Sequence, residues 1–274
     1  MKKLLLAQDA QCLKINAIDF ACYVARLTRS RLTGVFLEDV QSERTVSVSQ
    51  VSSRGLAGGD REPANASVIA EENIRLFKEA CVCREVNSKI HRDRGVPTTE
   101  ILEESRFADL IILDPEISFT PGNESLPGYF VHDILSKAEC PVMIAPYDFE
   151  NIEKIYFAYN STPSSMFAIK QFTYLFPELA KRKVEVLNVQ SGGDGMLEEA
   201  FKMKEWMKEH FDDVEYVVLK GDPADQLFGY LLERKNGVIV MGAYGRGMLS
   251  RFFKPSHARL IIKTVNMPIF VAHH

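Results

Sequence analysis

The chain repeats itself, and that limits what it can fold into. Lys3-Leu4-Leu5-Leu6-Ala7-Gln8-Asp9 returns as Lys154-Ile155-Tyr156-Phe157-Ala158-Tyr159-Asn160. Gly95-Val96-Pro97 returns as Gly221-Asp222-Pro223, and Leu110-Ile111-Ile112-Leu113 as Val238-Ile239-Val240-Met241. Each half closes on a Pro-led apolar run, Pro141-Val142-Met143-Ile144-Ala145 and Pro268-Ile269-Phe270-Val271-Ala272. Four matches in the same order mark an internal duplication. Short apolar runs alternating with helical patterns are the signature of βαβ units around a parallel sheet buried on both faces.

In the second half, a strand over 154–159 meets Ser161-Thr162-Pro163, a capping hydroxyl before a first-turn proline. Met166, Ile169, Phe172 and Phe176 then share a helical face, and Pro177 ends it. Strands follow at 184–189, 214–219, 238–241 and 269–272, with helices over about 194–210, after Pro223 and from Ser256. The helix at 194–210 is expected to bury Met196, Ala200, Met203 and Met207. In the first half, Ile15, Ile18, Cys22 and Ala25 are expected to line the first helix. A stretch over 41–67, rich in Ser, Arg, Gly and Asp, reads as an inserted mobile surface excursion, in which Val46, Val48 and Val51 have the spacing of a brief strand. The expected domains are 1–147 and 152–274, joined by a short linker near Tyr147-Asp148-Phe149-Glu150.

Both closing strands carry little charge. At a sheet edge they would expose unpaired backbone groups. Pairing 142–145 with 269–272 across a pseudo-two-fold axis removes both edges, so the fold class expected is two tandem, doubly wound, parallel five-stranded sheets joined as an internal pseudo-dimer. A further homodimer is compatible with the sequence.

The 274 residues carry a net charge of −4, with pI near 5.9, which gives no broad attraction to nucleic acid or anionic membrane. No apolar run approaches the length of a membrane span, and the opening Met1-Lys2-Lys3-Leu4-Leu5-Leu6 stops too soon for a signal peptide. A cytoplasmic location is expected. The five cysteines, Cys12, Cys22, Cys81, Cys83 and Cys140, include no CxxC pair and read as reduced thiols. Cys81-Val82-Cys83 falls in a helical pattern with Ile74 and Phe77, so at most one of the two thiols faces the core. The scattered histidines give no metal-ligand spacing, and the paired acids Glu103-Glu104 and Glu198-Glu199 read as solvated helix faces.

The segment Gly242-Ala243-Tyr244-Gly245-Arg246-Gly247-Met248-Leu249-Ser250-Arg251-Phe252-Phe253-Lys254-Pro255-Ser256-His257 follows a buried strand. Glycines admit a close ligand, a helix start at Ser256 offers free N–H groups, and Arg246, Arg251 and Lys254 supply countercharge for an anion. It is neither a Walker A loop nor a Rossmann fingerprint.

This segment resembles the Gly-x₂-Gly-x₉-Gly-Ser/Thr element of the universal stress protein family. Gly242 and Gly245 match its first two glycines, and Pro255-Ser256 stands where Gly-Ser/Thr is expected. The resemblance covers nearly the whole chain as two copies, strongly in the second and loosely in the first. It implies a stress-response protein binding ATP or a related adenine nucleotide in the second half, with Mg²⁺ as a companion of the nucleotide. By that analogy adenine lies near Ala158, Asn160 and Val189, and phosphates lie over Gly242, Gly245, Arg246, Gly247, Ser256 and His257. Two positions depart from the pattern. Pro255 has no N–H to give a phosphate, and Asn160 replaces the usual Asp, keeping an acceptor but not the charge. In the first half Asp9 retains the carboxylate, but Asp114-Pro115-Glu116 replaces the glycine loop, so that half is expected to have lost the site. No nucleophile, general base or metal cage accompanies the loop, and slow ATP hydrolysis is the most that it suggests. A nucleotide-free scaffold for a protein partner is the alternative.

Overall fold

The computed structural model describes residues 1–39, 63–120, 126–190, 197–232, 234–243 and 265–273. The first half runs β1 (Lys3–Asp9), α1 (Ile15–Leu27), β2 (Arg31–Asp39), α2 (Pro63–Cys83), β3 (Ser88–Gly95), α3 (Pro97–Ser105), β4 (Leu110–Leu113), α4 (Tyr129–Lys137) and β5 (Val142–Ile144). The second runs β6 (Lys154–Tyr159), α5 (Pro163–Leu175), a 3₁₀ turn (Pro177–Leu179), β7 (Lys183–Gln190), α6 (Leu197–His210), β8 (Val214–Lys220), α7 (Pro223–Leu232), β9 (Gly237–Gly242) and β10 (Ile269–Ala272). The helix expected from Ser256 lies outside the described residues, as do Val46, Val48, Val51 and Met196. The part of the 41–67 stretch from Pro63 onward is the start of α2.

All ten strands form one sheet in the order β3-β2-β1-β4-β5-β10-β9-β6-β7-β8. Within each half the strands are parallel, and β5 meets β10 antiparallel, with Met143 opposite Phe270. The duplicated closing strands therefore pair as the sequence led us to expect, and neither is left as an edge. The tandem doubly wound architecture follows.

Central strands are buried on both faces. Leu4 and Leu6 of β1 point into one core layer and Leu5 and Ala7 into the other. The first layer holds α1, α2, α5 and α6; the second holds α3, α4 and α7. On α1 the stripe is Ile18, Cys22 and Ala25 together with Phe20, Ala21 and Val24, whereas Ile15 is about half exposed. Ile15 is the first residue of the helix, and periodicity overstated its burial. Met203 and Met207 are buried on α6 as expected, and the Ala200 side chain lies outside the described residues. Cys81 is buried and Cys83 exposed.

The outermost strands are different. β3 and β8 alternate in exposure, with one face on the core and one in water. Charged side chains protect these true edges: Glu38 of β2 pairs with Arg92 and, at 3.2 Å, with Arg94 of β3. Glu104 of α3 is not a solvated acid. It is half-buried, accepts from Lys3 Nζ at 2.9 Å and lies 2.6 Å from His91 Nδ1. These contacts, made across long sequence separations, hold its carboxyl below the usual range against the opposing effect of burial.

Candidate functional site

In the second half the chain builds β6, β7 and β8 toward one edge, then crosses to β9 and β10 on the other side of β6. The carboxyl ends of β6 and β9 therefore flank a topological switch point, where ligands of open α/β sheets bind. Asn160 leaves β6 there and Gly242 ends β9 there.

The turn after β6 is built by short polar side chains. Ser161 takes a positive φ of 59°. Asn160 Oδ1 accepts from Thr162 Oγ1 at 2.6 Å and from Thr162 N at 3.3 Å. Thr162 in turn caps α5, accepting from Ser165 N at 3.3 Å, with Pro163 following at the first helical position. The amide oxygen expected to face a ligand is thus spent on the turn, which leaves the Asn160 NH₂ as the group for the site. That inverts the hydrogen-bonding sense expected from sequence.

Gly242 has a reason to be glycine without any ligand. A Cβ built on it would lie 2.5 Å from Ser164 Oγ and 2.6 Å from the Ser164 carbonyl carbon and oxygen. The end of β9 thus rests on the first turn of α5, and this contact brings the helix's N-terminal amides beside the switch point. Beyond it, Ala243 N donates to Ala272 O at 2.9 Å.

Ala158 is only 2% exposed and packs in the core layer with Leu187 and Met241, one layer beneath any ligand on the sheet's end. Val189 pairs with Leu219 through the β7–β8 ladder; its side chain lies outside the described residues. Gly245, Arg246, Gly247, Ser256 and His257 also lie outside them, with Arg251, Lys254 and Pro255. The structure thus brings Asn160, Gly242 and the start of α5 together.

The matching place in the first half is acidic. A cavity of about 80 Å³ at the ends of β1 and β4 is lined by Gln8, Asp9, Lys14, Asp114 and Glu116, among others. Burial pushes the carboxyls of Asp9 and Asp114 up, against the pull of Lys14 and of hydrogen bonds from Gln11 N and Glu116 N. Three carboxyl groups beside one lysine repel a phosphate. Among the described residues no cluster of His, Cys, Asp and Glu is arranged to hold a metal, and no helix is long and apolar enough to cross a membrane.

No protein-family model matches the chain, and no curated protein matches its sequence. Solved structures do match its shape. A universal stress protein from Archaeoglobus fulgidus aligns with a TM-score of 0.71 at 17% identity, over 99% of this chain and 98% of that one. A functionally unknown protein from Pseudomonas aeruginosa aligns with a TM-score of 0.56 at 16% identity, over 100% of this chain and 92% of that one. The chain has the fold of that universal stress protein along almost its whole length.

Proposed function

We propose that the chain is a stress-response protein of the universal stress type, which binds ATP or a related adenine nucleotide at the switch point of its second half. The observation that carries this reading is the convergence of Asn160, Gly242 and the α5 N-terminus at the ends of β6 and β9. The sequence that continues from Gly242 adds Gly245, Arg246 and Gly247, whose glycine amides and guanidinium suit a phosphate chain. Adenine would stack over the strand ends beside Asn160, whose NH₂ suits a ring nitrogen acceptor. The acidic switch point of the first half supports one nucleotide per chain.

Calorimetric titration with ATP, with and without Mg²⁺, tests this. One nucleotide should bind per chain, and Gly245→Val or Arg246→Ala should weaken it at least tenfold. Gly242 is unsuitable for that test because its substitution disturbs packing. Absence of binding at millimolar ATP overturns the proposal.

The second reading is a nucleotide-free scaffold for a protein partner. It is favoured by the Asn160 oxygen being engaged by Thr162 and by Pro255 standing where a glycine amide would serve a phosphate.

A further inference from the structure

The first half carries a second anion-attracting feature, at the opposite end of its sheet. Where β1, β2 and β3 begin, a cleft of about 610 Å³ is lined by Lys2, Lys3, Arg29, Arg31, Lys89 and His91, and the rest of its lining is uncharged. The whole chain has 37 acidic residues and 33 lysines and arginines, so five lysines and arginines together with His91 around one cleft, with no carboxylate in its lining, is a local segregation of charge.

The acids that touch this lining do not neutralise it. Glu104 is shared between Lys3 and His91. Asp109 Oδ2 accepts from the main-chain N–H groups of Lys2 and Lys3, at 2.7 and 2.8 Å. Lys2, Arg29, Arg31 and Lys89 form no ion pair with any described residue. Arg29 also adopts a left-handed φ of 51° in the turn that closes α1, where Ser30 N returns to Ala25 O at 2.9 Å. A glycine would sit there without strain; the arginine adds its charge to the cleft.

We propose that this cleft binds a compact oligophosphate anion, a chain of two or three phosphates held by Lys2, Arg29, Arg31 and Lys89. A volume of about 610 Å³ lies in the range of small-molecule sites. No Phe, Tyr or Trp lines it for base stacking, and a net charge of −4 opposes a long polyanion. Small size and clustered charge together favour a short phosphate chain over RNA. The length of the strands, roughly 20 Å, separates this cleft from the carboxyl edge of the sheet.

Inorganic tripolyphosphate is the probe, titrated into the full chain by calorimetry at low salt. One ion should bind at the cleft, and its affinity should fall at least tenfold in the double variant Arg31→Gln, Lys89→Gln. Lys204→Gln with Lys208→Gln on α6 should leave it unchanged. Arg29→Gln with Lys2→Gln is the second pair, should the first perturb the unfolding midpoint. The proposal is overturned if no heat appears at millimolar tripolyphosphate. It is equally overturned if Arg246→Gln removes the binding while both cleft pairs leave it intact, which would place the ion in the second half. Displacement of the ion by single-stranded RNA at a lower phosphate concentration would also overturn it, in favour of a nucleic-acid surface.

Discussion

Gly242 and Ser164 pack so closely that a Cβ on the glycine would stand 2.6 Å from the serine's carbonyl carbon and oxygen. The obstacle is main chain at the first turn of α5 and cannot swing aside like a side chain. Gly242→Ala should therefore destabilise the protein by about 3 kcal/mol, at the upper end of overpacking costs. Urea unfolding measures it. A cost under 1 kcal/mol would mean that β9 and α5 separate easily, and that the glycine serves the loop rather than the packing.

The thiols divide by burial. Cys12 and Cys83 are exposed, whereas Cys22, Cys81 and Cys140 are buried. Burial also pushes the Cys140 thiol up to about 12, which suppresses the reactive thiolate. Cys22 and Cys81 face each other across α1 and α2 with their sulfurs 4.0 Å apart. A maleimide reagent should modify two thiols per native chain and five after denaturation. Rapid native labelling at Cys22 or Cys81 would show that α1 and α2 part readily.

The duplication, the parallel halves and the β5–β10 junction were legible because each depends on runs of apolar residues that recur in order. β3 was not. Ser88–Gly95 has Ile90 as its one large apolar side chain amid Lys89, His91, Arg92, Asp93 and Arg94. It is a strand because β2 offers it a parallel ladder and Glu38 offers it counterions, and neither fact is local. Glu104 was misread for the same reason, since its partner Lys3 lies 101 positions away. At the candidate site, sequence identified Asn160 and Gly242 but not what they touch. The Asn160 oxygen turns back on Thr162 and the Gly242 Cα rests on Ser164; a motif records residue types and spacing without those contacts.

Asp114 should reduce stability at neutral pH. Burial raises its carboxyl, so the native state binds a proton more readily than the unfolded chain. Its contribution is favourable at low pH and is lost as pH rises from the unfolded value near 3.9 through the raised native one. Asn can still accept from Glu116 N, the 2.8 Å bond that Asp114 Oδ1 now makes. Asp114→Asn should therefore raise the thermal midpoint at pH 7, with the gain vanishing toward pH 4. A lower midpoint at pH 7 would show that the charge of Asp114 is stabilised by Lys14 more than it is penalised by burial.

His273 has the opposite sign. Burial lowers its imidazole, against a hydrogen bond to the Leu135 backbone that favours the charged form. The native state keeps the ring neutral, so the contribution is complete above the unfolded value near 6.5 and is lost as pH falls below it. His273→Gln should flatten the stability profile between pH 7 and pH 5 relative to the parent chain. An unchanged slope in urea titrations across that interval would rule this out.

Asn266 joins the halves where the linker passes. Its Oδ1 accepts from Tyr147 N at 2.9 Å and Asp148 N at 3.1 Å, and its Nδ2 donates to Asp148 O at 3.0 Å. Its φ of 45° lies in the left-handed region, which Asn tolerates better than most residues. Tyr147 OH also reaches Glu116 Oε1 at 2.9 Å, so the same linker residue touches the acidic cavity of the first half. Asn266→Ala removes three hydrogen bonds and adds backbone strain; Asn266→Gly removes the bonds and relieves the strain. The alanine variant should lose about 2–3 kcal/mol and the glycine variant about 1 kcal/mol less than that. Both should become more sensitive to proteolysis near residues 147–151, because the linker's main chain is freed in each. Equal losses would show that φ at Asn266 costs nothing, and an unaltered cleavage pattern would show that other contacts hold the linker.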